Sequence, residues 1–309
     1  MLSGIHFILT YICNSECDHC FLFCSSKTEG VFTLDQIAQV LDDSAENLRS
    51  VERVCFEGGE PFLFYPLLLE GIKLSRQKGY KVGLVTNAYF ATCEKDALLW
   101  LKPLAEIGIE ELYISDDQFH YNGPKAFSPA PIAVAAARRL GLCVETICIE
   151  KDHAIDISTD HKPGKQITGG KVMFRGRAAE QLAGLVPGQR AVLFDRCPHE
   201  DLVRPERVHL DPFGNVHVCQ GICIGNVWEN PLSEIMAVYD ADSHPVCGPL
   251  ARGGPFMLAQ LYTDVDEYDG YADACHLCYC VRLTLLDRFP DYLQPRQVYG
   301  QFKNENITG

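Results

Sequence analysis

IHFILTYICNSECDHC, residues 5–20, decides how this chain is read. Its first half, Ile5 to Ile12, is an apolar run of strand length. Its second half sets cysteines at Cys13, Cys17 and Cys20, a C-x3-C-x2-C spacing. Three thiolates on one short loop can hold three irons of a 4Fe-4S cube and leave the fourth iron without a protein ligand. An open iron is a site for chemistry, whereas a cluster closed by four cysteines suits electron transfer. Thiolates at short spacing also bind zinc, so a partial zinc site is the competing reading of the loop taken alone. A metal loop directly after a first strand lies at the carboxyl end of a sheet or barrel, where α/β enzymes keep their active sites.

Outward from that loop, short apolar runs alternate with amphipathic stretches, which predicts βα units and a parallel sheet. Strands are expected at Ile5–Ile12, Arg53–Phe56, Lys81–Val85, Glu111–Ser115, Cys143–Ile149 and Val172–Phe174. Thr33 is placed to cap a helix running toward Leu48, with Leu34, Ile37, Val40 and Leu41 at helical spacing. Further helices are expected from Pro66 to Gly79, from Thr92 or Glu94 to Gly108 with Pro103 as a kink point, and from Pro129 or Pro131 to Gly141. The polar stretch Glu150–Gly170 reads as a loop at the mouth of the barrel. Beyond it the texture changes. Val208 to Cys219 reads as a hairpin around Asp211-Pro212-Phe213-Gly214-Asn215, followed by a helix near Pro231–Tyr239. The expected division is residues 1–187 and 188–309.

A second motif stands one strand–helix–strand unit after the cysteines. Gly58-Gly59-Glu60-Pro61 follows Val54-Cys55-Phe56 and Glu57. Alone it is an ordinary turn. Consecutive glycines also let backbone approach a ligand closely, and an adjacent carboxylate pairs with an ammonium. Thr86-Asn87 ends the third run, and Ser115-Asp116-Asp117 ends the fourth. Such short polar side chains either bond a cofactor or cap the next helix. Arg175 and Arg177 lie in Phe174-Arg-Gly-Arg-Ala178, where surface salt bridges are the plain alternative.

Together these residues resemble the radical S-adenosylmethionine (radical SAM) enzymes. The resemblance covers roughly the first 185 residues and implies a partial (β/α)6 TIM-like barrel. It implies that Cys13, Cys17 and Cys20 hold a SAM-binding 4Fe-4S cluster, and that Gly58, Gly59, Glu60 and Pro61 meet the methionyl amino group. Thr86, Asn87 and Ser115 would lie near SAM, and Arg177 would pair with its carboxylate. The position before the last cluster cysteine is commonly aromatic in this family and lies near the adenine. Here it is His19, also a planar ring.

Cys197, Cys219, Cys275 and Cys278 offer a second thiolate set. The Gly214-x4-Cys219 segment followed by Ile224-Gly225-Asn226 resembles the SPASM and twitch extensions of radical SAM enzymes. That resemblance implies a small C-terminal domain with one auxiliary 4Fe-4S cluster. Cys223, Cys247 and Cys280 are possible replacements within the set, and structural zinc is the competing metal.

The net charge is −14 from 27 basic and 41 acidic residues. Bulk electrostatics therefore suggest no nucleic-acid partner. Fifteen cysteines in a long chain are spaced as metal ligands rather than as a disulfide framework. MLSGIHFILTYIC has no basic leader region, and its apolar run is too short for a membrane, so a cytoplasmic location is expected. The resemblance implies reductive cleavage of SAM to a 5′-deoxyadenosyl radical, which abstracts a hydrogen atom from the substrate. A low-potential electron donor such as ferredoxin or flavodoxin is implied. The expected outcome is oxidative modification of a peptide or protein side chain. The alternatives are a small metabolite in cofactor biosynthesis and a non-catalytic iron–sulfur electron carrier. Few residues precede the first strand, so a peptide would need a separate carrier or the barrel mouth. Asp117 and His120, with Tyr121, are candidates for proton transfer just past the fourth strand.

Overall fold

The computed structural model describes residues 1–121, 128–150, 169–265 and 270–302. Its first half alternates strands and helices: β1 (Gly4–Thr10), α1 (Leu34–Asn47), β2 (Arg53–Gly58), α2 (Tyr65–Gln77), β3 (Lys81–Thr86), α3 (Glu94–Ile107), β4 (Glu111–Ser115), α4 (Ala130–Arg139), β5 (Val144–Glu150) and β6 (Gly169–Lys171). The six strands pair in parallel in chain order, the arrangement of a (β/α)6 partial barrel. The sixth lies at 169–171, ahead of the expected Val172–Phe174. Most of the expected 150–170 loop lies outside the described residues.

Local chemistry explains the helix ends. The Thr33 hydroxyl accepts from the Gln36 amide while the Gln36 side chain accepts from the Thr33 amide, a reciprocal cap. Ile37, Val40 and Leu41 are buried, but Leu34 is exposed, because the first residue of α1 precedes its contact with the sheet. Helix α3 runs unbroken through Pro103 and stops where Gly108 turns left-handed.

Strand alternation builds two faces. Ile5, Phe7 and Leu9 of β1, Val54 and Phe56 of β2, Val82 and Leu84 of β3, and Leu112 and Ile114 of β4 are buried in one core with α1 to α4. Each such side chain contributes about 1.5–3 kcal/mol. Of the intervening residues, His6, Glu57, Val85 and Ser115 line one cavity of about 230 Å³ on the concave face.

The second half adds α5 (Arg177–Gln181), β7 (Gln189–Arg190), β8 (Arg207–Leu210), β9 (Asn215–Cys219), β10 (Ile222–Asn226), α6 (Leu232–Val238), α7 (Cys247–Tyr262), β11 (Gly270–Tyr271) and α8 (Ala274–Leu285). β8 and β9 form the expected antiparallel hairpin. β8 also pairs in parallel with β1, so the hairpin extends the barrel sheet to nine strands, in the order β10-β9-β8-β1-β2-β3-β4-β5-β6. A second core joins α7 and α8 to Ile8, Tyr11, Leu22 and Phe23 around the cysteine loop. Among the described residues no helix is long and apolar enough to cross a membrane.

Candidate active site

The cysteine loop leaves β1 through a set of short bonds. Thr10 donates its hydroxyl to the Gly30 carbonyl at 2.7 Å, and the Ile12 amide donates to Thr10 Oγ1 at 2.9 Å. The Cys13 amide donates to the Ser25 carbonyl at 3.0 Å. Arg177 closes the loop from α5: its Nη1 donates to the Cys17 carbonyl at 2.8 Å and its Nη2 to the Cys24 carbonyl at 2.9 Å. The three thiols line the large cavity. The Ser15 amide donates to Cys13 Sγ at 3.4 Å, and the Cys24 amide to Cys20 Sγ at 3.3 Å. Burial pushes the Cys13 thiol up to about 12, whereas hydrogen bonding with Cys24 brings Cys20 down to about 6. A bound metal's charge would reverse the burial effect. A donor set of three thiols, two of them accepting N–H···S bonds, fits an iron–sulfur cluster with one open iron.

Gly58 and Gly59 end β2 against this loop. Gly58 has φ +129°, and a Cβ there would lie 2.4 Å from the Thr10 carbonyl oxygen. One on Gly59 would lie 2.3 Å from that of Ile12. The Gly59 and Glu60 amides donate to the Thr10 and Ile12 carbonyls at 2.8 and 3.0 Å. The glycines therefore bring backbone against the strand that carries the cluster loop, and both also line the cavity.

Glu60 takes a different place from the expected pairing with an ammonium. Its carboxylate is fully buried and accepts from the Phe62 amide at 3.0 Å, Thr86 Oγ1 at 2.8 Å and the Asn87 amide at 2.7 Å. Burial pushes it up to about 7 against those three donors. It ties β2 to β3, and Pro61 begins the short turn that it caps. Thr86, Asn87 and Ser115 line the cavity; Glu60, Pro61 and Arg177 do not. Asn87 donates to Asn14 Oδ1 at 2.8 Å, which joins β3 to the cysteine loop.

Across the cavity His19 stacks on Phe119 with centroids 4.5 Å apart, and Asp117 Oδ1 lies 2.8 Å from His120 Nδ1. Burial opposes charge on His120, but Asp117 and Cys17 outweigh it and push the imidazole up to about 10. Burial, reinforced by His120, holds His19 down at about 4. Tyr121 reaches Asp116 at 3.4 Å and does not line the cavity.

Deeper in the barrel stands a group the sequence reading missed. His6 on β1, Glu57 on β2 and His209 on β8 converge on the concave face. Burial works against the Glu57 carboxylate, but the neighbouring His6, His209 and Arg207 outweigh it and hold it at about 2. The signal available was alternation: a polar residue between apolar ones in Ile5-His6-Phe7 and in Val208-His209-Leu210.

The four C-terminal cysteines also share a cavity. Cys197, Cys219, Cys275 and Cys278 line one small cavity of about 20 Å³; Cys223, Cys247 and Cys280 are not among its lining residues. Cys275 and Cys278 share a face of α8 at i,i+3. Arg175 Nη1 donates to Cys219 Sγ at 3.0 Å. Arg282, 2% exposed, lines the same cavity. Among the described residues neither arginine is paired with a carboxylate. Two buried cations beside four thiols fit an anionic metal–thiolate centre, whether iron–sulfur or zinc.

Residues 7–127 match the family model described as the Radical SAM superfamily, so this part of the chain is a radical SAM domain. The chain is 25% identical over 108 residues to YydG of Bacillus subtilis (strain 168), named for peptide biosynthesis, covering 35% of this chain and 34% of that protein. It is 32% identical over 110 residues to the tungsten-containing aldehyde ferredoxin oxidoreductase cofactor-modifying protein of Pyrococcus furiosus, covering 35% and 29%. The alignments thus span about a third of the length of these curated relatives. The solved structure of BtrN in complex with AdoMet and 2-DOIA superposes with a TM-score of 0.51 at 18% identity, covering 76% of this chain and 82% of that one. That likeness is one of fold, and it agrees with the mostly parallel α/β barrel.

Proposed function

We propose that this protein is a radical SAM enzyme that cleaves SAM reductively and abstracts a hydrogen atom from its substrate, in an oxidative modification of a peptide or protein side chain. One observation carries the reading: the Cys13, Cys17 and Cys20 thiols share a cavity at the carboxyl ends of parallel strands with Gly58, Gly59, Thr86, Asn87 and Ser115. Bound there, a 4Fe-4S cluster with SAM supplies one-electron cleavage of a carbon–sulfur bond and, through it, hydrogen-atom abstraction. The chain's own residues do the rest. Three thiols hold the cluster, and Gly58 with Gly59 offers backbone to the methionyl end of SAM. His120 holds a proton against Asp117 at the cavity wall. The four C-terminal thiols would hold an auxiliary 4Fe-4S cluster able to accept an electron from an oxidised substrate. A low-potential donor such as ferredoxin or flavodoxin, in the cytoplasm, would supply the reducing electron. The name of YydG supports a peptide substrate. A small-metabolite substrate is the second reading, favoured by the polar cavity floor of His6, Glu57, Arg207 and His209.

The test is iron content and 5′-deoxyadenosine formation in anaerobically reconstituted protein under dithionite. Wild type is expected to hold about eight irons, and the Cys13→Ala/Cys17→Ala/Cys20→Ala variant about four, with no 5′-deoxyadenosine above background. About four irons in wild type moves the C-terminal thiols to zinc. Metal without SAM cleavage leaves an electron carrier and refutes the enzyme.

A further inference from the structure

We propose that His6, Glu57 and His209 form a mononuclear site for a divalent first-row transition ion in the barrel lumen, where the ion holds a heteroatom of the substrate. The site is built by the sheet itself. His6 and His209 are register partners on β1 and β8. Glu57 stands on β2, two residues beyond the partner of His6, so its side chain points to the same face.

The spacing is that of ligands around one ion. His6 Nδ1 lies 3.4 Å from Glu57 Oε2, and His209 Nε2 lies 3.2 Å from Glu57 Oε1. One ligand atom from each of the three residues lies within 4.8 Å of the others. Two atoms bound to one ion at about 2.0–2.1 Å, at octahedral to tetrahedral angles, are about 2.9–3.4 Å apart. The two imidazole rings, 4.9 Å between centroids and inclined at 63°, approach edge to face rather than stacking.

Hydrogen bonding within the cluster is weak at His6. Its buried Nδ1 faces Glu57 Oε2 only at 3.4 Å and makes no well-formed hydrogen bond, so that atom is placed to take an ion shared with the carboxylate. His209 presents Nε2 to the same carboxylate, and its side chain is 4% exposed. The nearby Arg207 is held by Glu200, with Nη2 3.4 Å from each carboxylate oxygen, which offsets its charge toward a bound cation.

Two imidazoles and one carboxylate suit zinc, iron(II) and their neighbours rather than magnesium or calcium, which favour all-oxygen sets. Three protein ligands leave further positions open toward the cavity, as in catalytic rather than structural sites. An ion there would bind a carbonyl, carboxylate or hydroxyl oxygen of a substrate in the cavity. That last role rests on the reading of this cavity as the substrate site; the metal site itself does not.

Zinc is the probe. Full-length, anaerobically reconstituted protein is titrated with Zn²⁺ against a chromophoric chelator, and the loaded protein is examined by X-ray absorption at the zinc edge. The expected result is about one zinc per chain beyond the clusters, in a nitrogen/oxygen shell at about 2.0–2.1 Å without sulfur at about 2.3 Å. Glu57→Gln and His209→Gln should each weaken binding at least about 100-fold, beyond the loss typical of an outer-shell partner. Unchanged iron content shows that each variant is folded. The triple cysteine variant should keep the zinc while losing 5′-deoxyadenosine formation, so failure of the enzyme reading and failure of the metal site are read separately. A sulfur shell, zinc bound equally by the two variants, or no zinc held against the chelator overturns the proposal. The absorption result on wild type decides even if a variant does not fold.

Discussion

The two cysteine centres use the same ligand atom in opposite settings. The N-terminal loop presents three thiols to a cavity of about 230 Å³, with glycine backbone and short polar side chains around it. The C-terminal set presents four thiols to a cavity of about 20 Å³, with Arg175 and Arg282 on its wall. Arg175 and Arg207 line the first cavity as well, so the difference lies in which arginine reaches a sulfur. At the first centre Arg177 bonds loop carbonyls and stays off the cavity. At the second, Arg175 bonds a sulfur directly and Arg282 lies beside the thiols. A centre short of one thiol and open to a large cavity is arranged for a ligand. A closed set of four with buried counter-charges is arranged to hold charge in place.

The largest effect that could break this contrast is expected at Arg282. Its Nη1 donates to the Gln220 carbonyl and to Tyr299 Oη, both at 3.0 Å, and its guanidinium is buried among the cysteines. Arg282→Met should lower unfolding stability by about 3–5 kcal/mol, the range for removing one partner of a buried charge set. It should also reduce iron by about four per chain while leaving the first cluster's share. Iron assay and denaturant unfolding check both. Full iron with a loss below about 1 kcal/mol would show that the guanidinium does not balance anionic thiolates.

How much of this was legible depended on the range of the interaction. Strands β2 to β5 and helices α1 to α4 fall close to their expected positions, because caps, Pro–Gly punctuation and alternation act over a few residues. The Thr33 cap and the Gly108 stop are such cases. The convergence of Cys197 with Cys219, Cys275 and Cys278 follows thiol spacing and the hairpin. What was not legible depends on long-range pairing. β8 joins β1 across some two hundred residues, and only that pairing brings His209 to His6. Helices α7 and α8 went unread because glycines, prolines and cysteines blur their period; in α7 Gly253 and Gly254 leave helical geometry altogether. Glu60 shows the limit of motif reasoning. The residue type was noted, but its three internal hydrogen bonds depend on the packing of β2 against β3.

That carboxylate gives the next prediction, and Glu57 three residues earlier is its control. Burial holds Glu60 at about 7 in the fold against 4.5 for the free side chain. The folded state therefore binds the extra proton between those values, so this contribution to stability is full below pH 4.5 and is lost as pH rises through 7. Glu57, at about 2, behaves oppositely: its contribution is present above 4.5 and lost as pH falls through 2. Each full window is worth about 3 kcal/mol. Between pH 5 and 7 Glu60→Gln should flatten the decline of stability with pH relative to wild type, and Glu57→Gln should not. Parallel curves for wild type and Glu60→Gln would refute the burial reading and free that carboxylate for a ligand.

The smallest effect sharpens the contrast most directly, because it separates two roles for one side chain. Arg177 grips two carbonyls of the cysteine loop with a planar fork, and its guanidinium lies 5.4 Å from the Phe23 ring centroid. Arg177→Lys keeps the charge but cannot span both carbonyls in that geometry. Losing one charge-assisted bond should cost about 1.5–3 kcal/mol of stability. If Arg177 braces the loop, iron should leave the first centre several-fold faster while KM for SAM stays within about twofold. If it pairs with the SAM carboxylate, KM for SAM should rise at least about tenfold, as expected for about 1.4 kcal/mol of lost binding, with iron retention unchanged. The geometry favours the first outcome, since both terminal amines are bonded within the loop and Arg177 does not line the cavity. The second outcome would require the loop to release one amine on binding SAM, and the two centres would then differ less in their use of arginine than in their number of thiols.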